Sequence, residues 1–319
     1  MKSLMIVMPW YGRIPNYFKF YLDSVRNVSF DTLLVSDCDF SQMSIPTNVQ
    51  ILKLTMVEFQ DLASRKLGVQ AALDKPYKAC DFRPMFGKIF EDWLVGYKYW
   101  GYGDTDLIYG HKLDDYVEMI VAGDYDVASM HKQYLTGPFA MIKNDEKGKS
   151  LYETSQVWRE VATSAAHYQF EECGKNVDWP SLEFGKVTIE EYGKSFDSFS
   201  NALHREELKG TIRYFHEDLI TEHISQNDTV FKKDNRVFLN EEEIYIFHNL
   251  FVKGHRYFRV PGDNWTDFSN YAICSTGYYS PRTIPWRGII GKYRMFRAVL
   301  ESLKVNGLSR VHTRLRLGR

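Results

Sequence analysis

Three short apolar runs at the start of the chain constrain its fold more than any other feature. Ser3–Met8 is apolar and brief, and Pro9-Trp10-Tyr11-Gly12 turns the chain directly after it, so it reads as a buried strand. A helix fits Asn16–Val25, Thr32–Ser36 is a second apolar, β-rich run ending at Asp37, and Val49–Leu54 is a third. Strand, helix and strand in that order predict an α/β fold on a mainly parallel central sheet with flanking helices. In such a sheet the functional loops lie at the C-terminal ends of the strands.

Further along, Glu58–Ala72 carries a helical pattern, and Phe82–Gly96 reads as a helix with Phe86, Phe90 and Leu94 on one face. An aromatic strand, Tyr99–Gly103, then runs into Asp104-Thr105-Asp106. A helix over Lys112–Ala122, a strand over Tyr125–Met130 and a loop entering a strand at Gly137–Ile142 follow. Leu151–Glu222 mixes helical stretches with Gly and Ser and gives no clean pattern. Val237–Leu239 and Glu243–Phe247 predict a late hairpin with His248 at its end; beyond Gly254 the chain is irregular and aromatic up to a helix over Ile289–Val305. The expected organisation is one α/β domain over 1–255 and a C-terminal extension over 256–319 with a basic amphipathic helix.

Composition excludes several classes. At 319 residues, with 44% apolar and 25% charged side chains, the chain can bury a large core and is neither disordered nor fibrous. Cys38, Cys80, Cys173 and Cys274 are far apart and lack CxxC spacing, which argues against a zinc knuckle or a disulfide scaffold and for a reducing cytoplasm. Pro9 stops the apolar stretch Leu4–Met8 before a signal peptide would be complete, and no window approaches the roughly 20 apolar residues of a membrane span. A cytoplasmic location is expected, at the inner face of any membrane the protein visits.

The charge is unevenly spread. From Arg282 onward ten bases (Arg282, Arg287, Lys292, Arg294, Arg297, Lys304, Arg310, Arg314, Arg316 and Arg319) face one acid, Glu301, on a chain whose net charge is −1. With Ile289, Ile290, Met295, Phe296, Val299 and Leu300 this tail reads two ways. It is a helix that lies on anionic lipid, or a terminal helix packed on the body with its basic face solvated. Binding of nucleic acid is not expected, because the body is acidic and no nucleic-acid module is recognisable.

Asp104 and Asp106 carry the chemistry. A transferase acting on a diphosphate needs a divalent cation held by hard oxygen ligands, and at period two in an extended segment both carboxylates fall on one side. An isolated Asp-x-Asp is common and reads equally as a solvated loop or a helix cap. Here it follows an aromatic strand in an α/β chain and is bracketed by Gly103 and Gly110, which permit close backbone approach.

With Lys75-Pro76-Tyr77-Lys78-Ala79-Cys80-Asp81-Phe82-Arg83-Pro84 and Trp100-Gly101-Tyr102-Gly103-Asp104-Thr105-Asp106, the N-terminal two-thirds resembles GT-A (Rossmann-like) glycosyltransferases, in particular bacterial capsule and surface-polysaccharide transferases. A second similarity is to retaining transferases of the glycogenin type, which carry an Arg four residues before a Gly, as at Arg83 and Gly87. Those enzymes also use a late His as third metal ligand and a following Lys at the diphosphate, which His248 and Lys253 match with a spacing one residue off.

The resemblance implies a nucleotide-sugar donor, Mn²⁺ or Mg²⁺ on Asp104, Asp106 and His248, and Arg83 and Lys253 at the diphosphate. It places Pro9, Tyr11, Asp37 and Thr105 around the nucleotide and Gly137-Pro138-Phe139 on the acceptor side. The acceptor would be a glycan or lipid-linked oligosaccharide. Each position has a plainer reading: a surface ion pair for Arg83, a core histidine for His248, a surface lysine for Lys253, a turn for Asp37, and packing for Tyr11.

Inversion would require a carboxylate base, for which Asp197, Glu217 and Asp218 are candidates, whereas retention relies on the leaving phosphate. The glycogenin-type similarity favours retention, with UDP-galactose or UDP-glucose as donor. A nucleotidyltransferase also needs paired acids, but Pro9-Trp10-Tyr11-Gly12-Arg13 lacks the Gly-rich phosphate loop. A non-catalytic carbohydrate-binding or assembly subunit is the third alternative.

Overall fold

The structure is a computed structural model; it describes residues 1–262, 265 and 268–306, the last four of these by backbone alone. Arg310, Arg314, Arg316 and Arg319 of the basic tail lie outside the described residues, as does the side chain of Lys304.

The expected opening is present as β1 (Lys2–Pro9), α1 (Phe18–Val25), β2 (Asp31–Ser36) and β3 (Val49–Lys53). Successive residues of β1 alternate between two cores: Met5 and Val7 pack on one face of the sheet, and Leu4, Ile6 and Met8 on the other. A strand covered on both faces has to be apolar throughout, which is why the run is continuous rather than alternating. α2 (Met56–Leu67) is fixed by a capping box, with Glu58 N donating to Thr55 Oγ1 at 3.2 Å and Thr55 N donating to Glu58 Oε2 at 2.7 Å. Gly68 ends it in the left-handed conformation at φ 66°.

The helix expected over Phe82–Gly96 is mostly absent. Pro76–Met85 forms a 3₁₀ helix and only Phe86–Ile89 (α3) is α-helical. Pro84 only removes an N–H from the first turn of the expected helix; the α-helical ladder itself stops at Ile89. Phe86, Phe90 and Leu94 nevertheless enter one core cluster, as their spacing implied.

β4 (Tyr97–Gly103), β5 (Leu107–Tyr109), α4 (Lys112–Gly123), β6 (Val127–Ser129), β7 (Phe139–Lys143) and β8 (Tyr214–His216) follow. The central seven-stranded sheet has the order β3-β2-β1-β4-β7-β6-β8. β3, β2, β1 and β4 are mutually parallel, and β7 is antiparallel to both β4 and β6.

Two smaller sheets sit beside it. β9 (Ile220–Thr221), β10 (Val230–Lys233), β11 (Arg236–Leu239), β12 (Glu242–Ile244), β13 (Ile246–His248), β14 (Asn270–Cys274) and β15 (Gly277–Tyr279) form the sheets β12-β11-β10-β14-β15 and β5-β13-β9. The β14–β15 hairpin lies in the stretch expected to be irregular. Its strands are five and three residues long, too brief for alternation to show. β14 pairs with β10, so strands on both sides of residue 255 share one sheet. The last helix spans Arg287–Asn306, and among the described residues no helix is long and apolar enough to cross a membrane.

Candidate active site

Parallel pairing gathers the expected positions at one edge. Val7 of β1 lies opposite Tyr102 of β4, and Pro9 opposite Val35 of β2. Pro9, exposed Asp37 and Asp104 therefore leave three adjacent strands on the same side, at their C-terminal ends. Asp104-Thr105-Asp106 is the turn between β4 and β5 rather than an extended segment. β5 pairs antiparallel with β13, setting His248 opposite Leu107, and Asn249 N donates to the Asp106 carbonyl at 3.0 Å. The helical turn Leu250–Lys253 then delivers Lys253.

One ligand atom from each of Asp104, Asp106 and His248 lies within 4.8 Å of the others. His248 Nε2 is 3.2 Å from Asp106 Oδ2, and the Lys253 ammonium donates to that same oxygen. On the far side His248 Nδ1 is 2.5 Å from Glu222 Oε1, and Glu222 Oε2 is 3.2 Å from His131 Nε2. Burial alone would raise the Asp106 carboxyl, but His248 and Lys253 hold it well below the usual carboxylate range. Burial likewise opposes charging His248, yet Asp106 and Glu222 raise it to about 10. Glu222, against its own burial, is lowered to about 2 by His131 and His248.

This donor set fits a hard divalent ion: two carboxylates and an imidazole converge, and a carboxylate behind the imidazole fixes its orientation. Metal-binding histidines commonly have such an outer partner. Glu222 has no motif in the sequence, and the pairing that brings it to His248 spans 26 residues.

Arg83 donates to Asp104, and to the Gly137 carbonyl at 2.9 Å. Its 3₁₀ helix is held by a buried ion pair, Lys78 Nζ to Asp81 Oδ2 at 2.8 Å. Lys78 also donates to the carbonyls of Val161 and Ala166, and Asp81 accepts from the amides of Tyr168 and Phe170. The Lys75–Pro84 block thus clamps the segment 161–170, which leads into Glu171 and Glu172.

Glu171 is raised to about 8 by burial, with Arg83 opposing, and lies 3.6 Å from Arg83 Nη1. Glu172 accepts from Gly137 N at 3.0 Å. A Cβ on Gly137 would fall 2.5 Å from Glu172 Oε1, so a larger residue there would displace that carboxylate. Gly137-Pro138-Phe139 does lie beside the motif, with Asp104 N donating to the Pro138 carbonyl at 3.1 Å.

Other expected residues sit differently. Tyr11 is buried and stacks on Phe59 at 6.3 Å, so it does not present a free ring face. Tyr17, which sequence reasoning missed, is half-buried, faces Thr105, and lies under the Lys253 ammonium at 5.5 Å. Thr105 is itself buried. Asp197 is a local clamp, bonded to Arg205, to Asn201 at 2.8 Å and to Gln156 N at 2.7 Å. Glu217 is exposed.

Asp218 lines a cavity of about 310 Å³ with His131, Gln133, Tyr134, Glu183, Ile220, Thr221, Glu222 and His223. Glu222 forms part of its wall, with His248 on the other side of that carboxylate.

The profile of DUF6625, described as a family of unknown function, matches residues 6–256. No curated protein matches. Two crystal structures of the glycosyltransferase GlyE of Streptococcus pneumoniae TIGR4 are similar in fold search. The apo form shows 13% identity and a TM-score of 0.32 over 70% of this chain and 68% of that one. The other shows 13% identity and a TM-score of 0.30 over 71% and 69%. Likeness this loose does not bear on chemistry.

Proposed function

The chain belongs to the DUF6625 family, and we propose from its own side chains that it is a metal-dependent glycosyltransferase, moving a hexose from a UDP-sugar to a glycan acceptor. The observation that carries this reading is the convergence of Asp104, Asp106 and His248 within 4.8 Å at the C-terminal edge of a parallel sheet, flanked by Arg83 and Lys253. Asp104, Asp106 and His248 would hold Mn²⁺ or Mg²⁺, which when bound supplies the positive charge a departing diphosphate needs.

Lys253, whose ammonium now rests on Asp106, would turn to a phosphate oxygen. Arg83, gripped by Asp104 and the Gly137 carbonyl, keeps the motif and the acceptor-side loop in register. The nucleoside would lie along Pro9 and Asp37, with the Tyr17 ring under the Lys253 ammonium close by. The acceptor would enter the cavity beside Glu222. Asp218, Glu183 and Glu222 line that cavity, whose lining among the described residues contains no Lys or Arg, which suits hydroxyl donors and disfavours an anionic sugar. In transfer with retention, the acceptor oxygen bonds to the anomeric carbon, the carbon–phosphate oxygen bond breaks, and the leaving phosphate takes the proton.

The test is a thermal-shift panel of UDP, GDP, CMP and their sugars, with and without Mn²⁺, on wild type and Asp106→Asn. The expected result is Mn²⁺-dependent stabilisation by UDP that the variant loses, since a ligand bound to the native state raises its stability. Absence of any nucleotide shift would move the protein to the non-catalytic class. NMR of the product's anomeric proton separates retention from inversion.

A further inference from the structure

The last helix turns a row of large apolar residues away from the body, while Ile290 packs against the cluster of Ala272, Cys274 and Tyr279. Trp286, Ile289, Tyr293, Phe296 and Leu300 recur at intervals of three and four, so they share one face. They are 60, 67, 59, 60 and 39% exposed. Besides Ile290, the face toward the body carries small residues: Ala298 is buried, and a Cβ on Gly291 would come within 2.9 Å of Thr276 Oγ1. Arg294, on that inner side, donates to the Thr276 carbonyl at 2.8 Å. A helix that merely packed on the body would show the opposite arrangement. Contiguous exposed apolar surface of this kind marks an interaction site.

Charge selects the occupant. At 100° per residue, Lys292 and Arg297 fall on opposite borders of the stripe, and both are exposed. From Arg282 to the last residue ten bases face only Glu301. Docking a second copy through this face would bring two strongly basic segments together, which like-charge repulsion opposes.

We propose that the helix Arg287–Asn306, with Trp286 before it, is an interfacial anchor for an anionic phospholipid surface. The stripe enters the boundary between headgroups and acyl chains, and Lys292 and Arg297 meet the lipid phosphates. This anchor stands apart from the transferase reading: it requires no nucleotide and no metal.

The full chain is sedimented with vesicles of phosphatidylcholine alone and of phosphatidylcholine mixed with phosphatidylglycerol, at low and high salt. Binding to the mixed vesicles is expected, weakened by salt and by Lys292→Glu. Ile289→Glu with Phe296→Glu should reduce it by about tenfold or more without lowering Tm, since both side chains already face water. Three results would overturn the proposal. Wild type could stay in the supernatant with mixed vesicles, or the double variant could bind as well as wild type. Light scattering could also show a wild-type dimer that the double variant makes monomeric, which would assign the stripe to a second copy.

Discussion

Two ionic clusters, one fully buried and one partly open, are built to opposite ends in this chain. In the first, Lys78 and Asp81 have side chains only 1 and 0% exposed, and their charges are used up by each other, by two carbonyls, by two amides and by the His167 imidazole 3.3 Å from Asp81 Oδ1. In the second, Asp106 gathers His248 and Lys253 on one oxygen, while Asp104 stays 28% exposed and is held from the side by Arg83. The first cluster has no remaining capacity for a ligand. The second holds cations where a metal and a diphosphate would be needed, with an open side toward solvent. Burial of charge therefore does not by itself mark function; a charged group poised toward solvent beside a concentrated set of donors does.

The largest effect should come from breaking each cluster in turn. Asp81→Asn leaves the Lys78 ammonium buried with no counter-charge, which costs about 3–5 kcal/mol and lowers Tm by on the order of 10 °C. The molecules that remain folded keep their Mn²⁺-dependent nucleotide shift. Asp106→Asn reverses the pattern: Lys253 can swing into water and His248 can lose its proton, so Tm falls less than in Asp81→Asn, and the nucleotide shift disappears. Equal Tm losses in the two variants would erase the distinction between clamp and site.

The two clusters were also unequally legible. Asp104 and Asp106 stood out because their spacing has a chemical meaning of its own, and the strand before them was marked by aromatic residues. Lys78 and Asp81 lay in a recognisable block, yet their role depends on the backbone of 161–170, which returns more than 80 residues later. Glu222 and His131 are 91 residues apart and joined through strand pairing that no local pattern encodes. Asp197 looked like a free acid because nothing in sequence shows that Arg205, eight residues on, folds back to it. Local periodicity recovered β1, β2 and β3 but failed over Phe82–Gly96, where a 3₁₀ segment runs to Met85 and the α-helix stops at Ile89.

Glu222→Gln sharpens the comparison without unfolding the site. Glutamine keeps the shape and can still meet His248 Nδ1, but it withdraws the charge that orients and enriches the imidazole. Loss of such an outer partner lowers metal affinity by about 10–100-fold. Isothermal titration with Mn²⁺ should show that loss while Tm moves far less than in Asp81→Asn. Unchanged affinity would mean that His248 is a core histidine whose partner is structural.

A dependence on pH also separates the two clusters, and its sign is fixed by the shifts at the site. His248 is raised from 6.5 to about 10, so its contribution to stability is complete below about pH 6.5 and is lost as pH rises through about 10. Glu222 is lowered from 4.5 to about 2, so its contribution is complete above about pH 4.5 and is lost as pH falls through about 2. Metal-free protein should therefore hold this part of its stability between about pH 4.5 and 6.5 and lose it gradually on the alkaline side. A bound ion needs the neutral imidazole, so it replaces the proton as counter-charge to Asp106, and apparent Mn²⁺ affinity should rise about tenfold per pH unit below pH 10. Melting curves across pH 6 to 10 should then lose their alkaline decline in Mn²⁺ and in Asp106→Asn, yet keep it in Asp81→Asn. A decline that persists in Mn²⁺ would place the titrating group elsewhere and leave His248 outside the metal set.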